Sequence, residues 1–358
     1  MKKIINALPL WLFLFAATIT IASCEKEDDP YSEAADNPQA NAIAPGQGPA
    51  NTVLTVTGSN IGGVETISFS NGNIRAEFNP LFNTEGAVIF RVPTEAVPGP
   101  QDIVFTNNLG KEFKVAFNVL GLPAITEVSN YNFRASTQLT LTGKNLDDVS
   151  AIVLNGTSDA VTIVSKTATS LVITMPATTL AKTKLAITNL AGTSITDQEF
   201  VNLDNNFLMF TEDWGPGAYG SGVQSWSWGS NAYASSDFAK SGTKSLRVDY
   251  VDGGLSMFLG SDWGSPAKNF TDFHVPFPTY LSFWARAVGS SVTVVIQPDG
   301  GAGAFSGAGE QTVTIPADTW TYFKIPAGFI TGQFARLNIK ISGSTNKTVY
   351  YDDLLWVK

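Results

Sequence analysis

A long internal repeat is the feature that most restricts how this 358-residue chain can fold. The segment LTVTGSN at residues 54–60 recurs as LTLTGKN at residues 139–145, an offset of 85 residues (139 minus 54). Shorter echoes follow at nearly the same offset, such as VFTN at 104–107 and AITN at 186–189. A period of this length exceeds the roughly 20–50 residues of solenoid repeats and suits one small β-sandwich. The repeat therefore predicts two tandem sandwiches.

Each copy of the repeat alternates apolar residues with threonine and then places glycine and asparagine where a tight bend needs positive φ. This pattern follows an entry that contains Pro45 in the first copy and Pro123 in the second, and it resembles the IPT/TIG immunoglobulin-like family. The resemblance implies one immunoglobulin-like domain at 41–120 and another at 121–203. Neither copy contains tryptophan or histidine, so both are interpreted as spacers.

Tryptophan is concentrated after about residue 204. Seven of the eight tryptophans follow that point, and the eighth is Trp11. The same region has strand-like runs between Gly, Asn and Pro turns, which predicts one carbohydrate-binding β-sandwich of jelly-roll type over 204–358. The predicted fold class is all-β, with two tandem IPT/TIG immunoglobulin-like sandwiches followed by a jelly-roll.

The first residues predict the compartment. Lys2 and Lys3 precede an apolar run at 8–21, and the letters IASC at 21–24 close it, as in a secretory signal. The pattern resembles a lipoprotein signal peptide, which implies removal of residues 1–23 and acylation of Cys24. Cys24 is the only cysteine, so no disulfide within the chain supports the domains. The lipid is the only membrane contact expected.

An acidic run, EKEDD at 25–29, opens a polar stretch over 24–40 that is interpreted as a flexible tether. It resembles the surface-export signal of Bacteroidetes lipoproteins, which implies a place on the outer face of the outer membrane. A merely solvated tether is the alternative interpretation. The formal net charge of -9 and the lack of a basic stripe argue against nucleic acid as a partner.

Tryptophans in Gly- and Ser-rich settings are the candidate ligand-binding residues. A sugar ring stacks its C–H face on an indole, and its hydroxyls need polar neighbours. The predicted binding residues are Trp228, Trp263, Trp226 and Trp214, with Gln224, Asn231 and Asp262 for the hydroxyls. Trp284, Trp320 and Trp356 lie in strands or at a strand start, where packing is the favoured interpretation.

Four stretches of the last region resemble carbohydrate-binding jelly-rolls. They are FTEDW at 210–214, WSWG at 226–229, KSGTKSLRV at 240–248 and VYYDDL at 349–354. In its order of parts the chain is similar to surface glycan-binding proteins of Bacteroidetes polysaccharide-utilisation systems. The resemblance implies capture of a polysaccharide, such as a β-glucan, for a TonB-dependent transporter and its lipoprotein lid.

Two other functions stay open on the sequence alone. The exposed aromatics could form an adhesion or protein-interaction patch, or the last region could be a glycanase. A glycosidase needs two carboxylates about 5–10 Å apart, and this region has only two glutamates, Glu212 and Glu310, with one histidine, His274. We therefore predict that the chain is not an enzyme.

No cofactor is predicted, and a structural calcium ion is the one option left open. Asp352 or Asp353 could join Glu212 and Asp213 around such an ion. The alternative interpretation is that these carboxylates accept hydrogen bonds from turn amides.

Overall fold

The computed structural model describes residues 32–215, 223–225, 229–251, 257–260, 278–299, 309–330, 336–343 and 346–358. Within these ranges the predicted all-β class is confirmed, and the helical elements are short 3-10 turns at Pro80–Phe82, Leu203–Asn205 and Ala327–Phe329. None of the described helices has the length and apolar character to cross a membrane. The chain forms two compact units, Met1–Gly121 and Leu122–Lys358.

Eight strands build the first unit. They are β1 (Gln39–Ala44), β2 (Gln47–Gly48), β3 (Val53–Ser59), β4 (Val64–Phe69), β5 (Ile74–Ala76), β6 (Ala87–Arg91), β7 (Gly99–Asn107) and β8 (Glu112–Val119). One sheet has the order β1-β3-β6 and the other the order β2-β8-β7-β4-β5. Leu54 and Val56 of β3 are completely buried, because alternate residues of a strand point to the same face.

The second unit begins with ten strands, here called the β9–β18 module. They are β9 (Ala124–Val128), β10 (Asn132–Phe133), β11 (Gln138–Lys144), β12 (Ala151–Leu154), β13 (Thr162–Lys166), β14 (Ser170–Thr174), β15 (Lys182–Thr183), β16 (Leu185–Asn189), β17 (Gly192–Ile195) and β18 (Phe200–Asn202). They form sheets β13-β14-β11-β9, β12-β16-β17 and β10-β18-β15. Strand β11 carries the second copy of the repeat, with Leu139 and Leu141 in the core.

The asparagine and the glycine of the repeat have different structural roles. Asn60 and Asn145 adopt φ values of 59° and 57°, which is the positive-φ bend expected from the sequence. Gly58 does not have positive φ, but a Cβ atom there would collide with the carbonyl oxygen of Gln39 on β1. Gly143 is the equivalent glycine of the second copy, and a Cβ atom there would collide with the carbonyl oxygen of Ala124 on β9. The glycine is therefore required by the close approach of two strands.

The remaining strands form the C-terminal sandwich. They are β19 (Phe207–Phe210), β20 (Gln224–Ser225), β21 (Asn231–Ser235), β22 (Ser245–Tyr250), β23 (Met257–Gly260), β24 (Tyr280–Ala287), β25 (Val292–Asp299), β26 (Gln311–Ile315), β27 (Thr321–Pro326), β28 (Arg336–Ile341) and β29 (Lys347–Val357). The β29 sheet has the order β21-β22-β29-β24-β27, with β19 beside β29, and the β25 sheet has the order β20-β23-β28-β25-β26.

One apolar core fills the space between these two sheets. Phe283, Tyr351 and Trp356 enter it from the β29 sheet, while Val294 and Ile339 enter it from the β25 sheet. Since side chains alternate along a strand, the residues between these core positions lie on the outer faces of the two sheets. Those outer faces are where the C-terminal sandwich can meet other molecules or other parts of the chain.

Substitution of the repeat glycine tests the role of close strand approach. We expect Gly58→Ala to lower the free energy of unfolding of the first unit by about 1–3 kcal/mol, because the new methyl group overlaps the β1 backbone. Gly46→Ala is the matched control, since a Cβ there meets no atom within 4 Å, and we expect a change of at most about 1 kcal/mol. Chemical denaturation followed by far-UV circular dichroism measures both; equal effects would contradict this role.

Candidate functional site

Most of the residues predicted to bind ligand lie outside the described residues. These are Trp226, Trp228, Asp262 and Trp263, and the predicted lipidation site Cys24 also lies outside them. The described strands nevertheless fix where these segments begin. Strand β20 ends one residue before Trp226, and strand β23 ends two residues before Asp262. Both strands belong to the β25 sheet.

Trp214 lies at the edge of the C-terminal sandwich and is half-buried. Its ring packs edge-to-face on Phe210 with centroids 5.2 Å apart, and it contacts the apolar core. The backbone N–H of Trp214 donates to Oδ1 of Asp213 at 2.8 Å. The indole thus contributes to packing, and its role in ligand binding stays a prediction.

The other two predicted residues belong to different sheets. Asn231 is exposed on β21, where it pairs in register with Asp249 of the β29 sheet. Gln224 lies on β20, which pairs with β23 in the β25 sheet. The structure therefore does not place Gln224 and Asn231 in one sheet.

The three tryptophans assigned to packing have separate environments. Trp356 is 1% exposed and belongs to the core between the sheets, while Trp320 is half-buried. Trp284 is buried on the outer face of the β29 sheet, where its Nε1–H donates to Oδ1 of Asn130 at 2.8 Å. It therefore packs against the β9–β18 module and not between the sheets of its own sandwich.

Aromatic and amide side chains join the β9–β18 module to the outer face of the β29 sheet. Tyr131 stacks on Tyr322 with centroids 4.5 Å apart and on Trp284 at 5.8 Å. Asn132 donates from Nδ2 to Oδ2 of Asp353 at 3.2 Å. Part of this face is consequently covered by the neighbouring module.

Two adjacent carboxylates lie buried at this junction. Asp352 accepts from the backbone N–H groups of Lys240 at 2.8 Å and Ser241 at 3.0 Å. Burial and the neighbouring carboxylate of Asp353 raise the pKa of Asp352 to about 8, and burial also raises the pKa of Asp353. Oδ1 of Asp353 has no hydrogen-bond partner.

Glu212 and Asp213, the other carboxylates considered for calcium, also accept hydrogen bonds from backbone N–H groups. Glu212 accepts from the backbone N–H groups of Thr243, at 2.9 and 3.0 Å, and of Lys244, at 3.1 Å. A Cβ atom at Gly242 would collide with Glu212, so a glycine is needed beside this carboxylate. Among the described residues no group of three or more potential metal ligands occurs.

The outer face of the β25 sheet is largely polar. On β25, Val294 and Ile296 enter the core, which leaves Thr293, Val295 and Gln297 on the outer face. Thr293 and Thr314 share a hydrogen bond of 3.1 Å between their hydroxyls. Amide and hydroxyl groups of this kind can bind the hydroxyl groups of a sugar.

Asn338 is the most unusual residue of this face. Leu337 and Ile339 on either side of it enter the core, so Asn338 points away from the core, and it pairs in register with Gln297. Its side chain is nevertheless only 7% exposed, and its Oδ1 accepts no hydrogen bond. A buried amide oxygen without a donor costs about 1–3 kcal/mol, and a ligand hydroxyl could reach this Oδ1 only after a side-chain adjustment.

The two glutamates of the C-terminal sandwich have different partners. Glu310 forms an ion pair with Lys340 of β28, with 3.0 Å between Oε1 and Nζ. Glu212, by contrast, accepts a hydrogen bond from the Thr243 hydroxyl and stabilises the turn that contains this residue. Each carboxylate therefore has a structural partner.

Sequence reasoning missed the polar face of the β25 sheet. The letters VTVVIQ at 292–297 and LNIKI at 337–341 alternate between core and outer positions, so the sequence did contain the signal for Gln297 and Asn338. The contact between Trp284 and Asn130 had no such signal, because the two residues are 154 positions apart.

Comparison with known proteins finds similarity among solved structures. No protein-family model matches the chain, and no curated protein matches it. The surface glycan-binding protein PbSGBP-B from Prevotella bryantii is 16% identical, with a TM-score of 0.46 and coverage of 91% of this chain and 99% of that chain. SGBP-B from a complex xyloglucan utilization locus in Bacteroides uniformis is 18% identical, with a TM-score of 0.41 and coverage of 90% and 99%.

A third similar structure contains a bound sugar. It is SGBP-B of the Bacteroides ovatus mixed-linkage glucan utilization locus in complex with a mixed-linkage heptasaccharide, with 14% identity, a TM-score of 0.29 and coverage of 90% of this chain and 75% of that chain. These three structural neighbours are surface glycan-binding proteins of Bacteroidetes.

The buried carboxylate pair predicts a pH dependence of stability. The ordinary pKa of Asp352 is 3.8 and its folded value is about 8, so the folded state binds more protons between these values. The free energy of unfolding of the second unit should therefore fall as the pH rises from about 4 to about 8. We expect Asp353→Asn to weaken this dependence, because it removes one of two neighbouring buried charges.

Exposed Asp147 provides the control, since Asp147→Asn removes a charge from the same unit away from the pair. Chemical denaturation at pH 5, 6, 7 and 8, followed by tryptophan fluorescence, gives the pH profile. Identical profiles for Asp353→Asn and the parent protein would rule out the carboxylate pair as the cause.

Proposed function

We propose that this chain is a non-catalytic cell-surface protein that captures a polysaccharide on the outer face of the β25 sheet. The predicted binding residues that follow β20 and β23 in the sequence, Trp226, Trp228, Asp262 and Trp263, are proposed to contribute to this site. The observation that carries the proposal is the set of solvent-accessible hydroxyl and amide side chains on this face, which includes Thr293, Gln297 and Thr314. Among the described residues, the contacts from the β9–β18 module instead fall on the β29 sheet.

The chemistry of the β25 face suits a neutral polymer of sugars. Gln297 and Asn338 supply amide groups, and the Lys340–Glu310 pair adds a donor without a net charge. The indoles of Trp228 and Trp263 would stack on sugar rings, each contributing about 0.5–1.5 kcal/mol beyond its buried area. Each contact of this size is weak, but several of them along one polysaccharide chain together give useful affinity.

The proposed ligand class is β-glucan, which is what the sequence resemblance implies. Acylation of Cys24 would hold the protein at the outer membrane surface, and a TonB-dependent transporter with its lipoprotein lid would receive the captured glycan. Capture without hydrolysis is supported by the partners of the two glutamates, because Glu212 holds a turn and Glu310 pairs with Lys340.

Calorimetric titration with xyloglucan and mixed-linkage β-glucan tests the proposal. We expect Trp228→Ala and Trp263→Ala each to weaken binding about tenfold, since the loss of one stacked indole costs on the order of 1.4 kcal/mol. Gln297→Ala should also weaken binding, because it removes an accessible amide that can meet a sugar hydroxyl. Tyr233→Ala is the control, since Tyr233 is an exposed aromatic residue in the other sheet.

Other outcomes of this experiment point to other functions. The absence of heat with every polysaccharide would contradict the proposal. Protein binding that survives excess oligosaccharide would favour an adhesion module. Release of reducing ends that is lost in Glu310→Gln or Glu212→Gln would instead identify a glycanase.

A further inference from the structure

A pocket of about 360 Å³ lies between the β9–β18 module and the β29 sheet. Its wall includes Tyr131, Gln198 and Glu199 from the module, with Tyr280, Tyr322 and Lys324 from β24 and β27. The volume falls within the range of about 300–1,000 Å³ that is usual for small-molecule sites. This pocket shares no described residue with the outer face of the β25 sheet.

Three tyrosines form the apolar part of the wall. The rings of Tyr131 and Tyr322 are stacked, with an interplanar angle of 25°. The ring of Tyr280 lies near two ammonium groups, with Nζ of Lys324 at 4.1 Å and Nζ of Lys182 at 5.1 Å from its centroid. The edges of these rings and the two ammonium groups together offer apolar contact and hydrogen-bond donors, which suit a sugar.

An ordered polar group lies beside these rings. Oε1 of Glu199 accepts from the Tyr280 hydroxyl and from Nζ of Lys324, both at 2.7 Å. Burial alone would raise the pKa of Glu199, but the hydrogen bonds from Lys324 and Tyr280, together with the positive charges of Lys324 and Lys182, lower it. The carboxylate therefore stays ionised and can accept a hydrogen bond from a ligand hydroxyl.

Two polar atoms in the pocket wall have no hydrogen-bond partner. Nε2 of Gln198 donates to the carbonyl oxygen of Ile125 at 3.3 Å, whereas its Oε1 is buried and unpartnered. The Tyr322 hydroxyl is likewise buried and unpartnered, and its burial raises the pKa of Tyr322. Because both atoms are out of reach of solvent, a side-chain adjustment must accompany their use by a ligand.

The charges around the pocket favour a neutral ligand. Asp197 and Glu199 supply two negative charges, and Lys182 and Lys324 supply two positive charges. A phosphate or a polyamine would meet as much repulsion as attraction there. A polyhydroxylated neutral molecule would use both the donors and the acceptors of the wall.

We propose that this pocket is a second saccharide-binding site, which takes a neutral sugar unit or a short branch. It goes beyond the proposed function, because it adds a site on the opposite sheet. Two sites on one compact unit raise the avidity for a polymer that can reach both of them. Binding at the pocket requires neither Trp228 nor Trp263.

Fluorine NMR of the mature chain labelled with 3-fluorotyrosine tests this proposal, with cellotetraose and a xyloglucan heptasaccharide as probes. Tyr322→Phe identifies the Tyr322 resonance. We expect that resonance to shift in a saturable way with at least one probe, and to do so equally in Trp228→Ala. A Trp228→Ala protein that loses the shift would overturn the proposal, because the signal would then report on the β25 face.

Matched variants separate the pocket from the rest of the β29 sheet. Gln198→Leu should weaken the pocket binding several-fold, as measured by the shift of the Tyr322 resonance. Tyr233→Phe removes a tyrosine hydroxyl from the same sheet outside the pocket and should leave the binding unchanged. No saturable shift with either saccharide, or a shift with inorganic phosphate alone, would overturn the assignment.

Because the β25 face is titrated separately by calorimetry, the two proposals fail independently. If the parent protein shows no calorimetric binding but the Tyr322 resonance still shifts, the proposed function is contradicted and the pocket is supported. If the parent protein shows calorimetric binding but the Tyr322 resonance does not shift, capture on the β25 face is supported and the pocket proposal is overturned.

Discussion

The packing of the β9–β18 module on the outer face of the β29 sheet is the interaction on which the arrangement of the second unit depends. Trp284 donates to Asn130, Tyr131 stacks on Tyr322, and Asp353 accepts from Asn132. These contacts bury groups that a strand would otherwise present to solvent. They assign one sheet of the C-terminal sandwich to an intramolecular junction, and the other sheet keeps a polar outer face.

Some polar groups of the second unit have several hydrogen-bond partners, whereas others are buried and have none. Asp352 and Glu212 accept backbone amides and thereby hold the turn at 240–244. Asn338 and Gln198 each keep a buried oxygen without a donor. Since an unpaired buried oxygen lowers stability, both residues weaken the fold as long as no donor reaches them, and they lie on two different surfaces.

Much of the architecture could be predicted from the sequence, but less of the site. The repeat at Leu54 and Leu139 lies on the equivalent strands β3 and β11, as two tandem sandwiches require, and the bend at Asn60 has the expected positive φ. Gly58 was interpreted as a bend residue, whereas it is the nearby β1 backbone that requires it. Packing was the favoured interpretation of Trp284, which is buried, but a strand pattern does not reveal which of two buried faces a side chain enters.

The sequence by itself determined the all-β class, the strand alternation and the concentration of tryptophan after residue 204, because these follow from neighbouring residues in the chain. Only the tertiary structure decided which sheet face is covered, since that choice rests on contacts such as Trp284 with Asn130, 154 positions apart. The same long-range contacts create the tyrosine-lined pocket beside Glu199. Local patterns specify strands, whereas the docking of distant strands specifies surfaces.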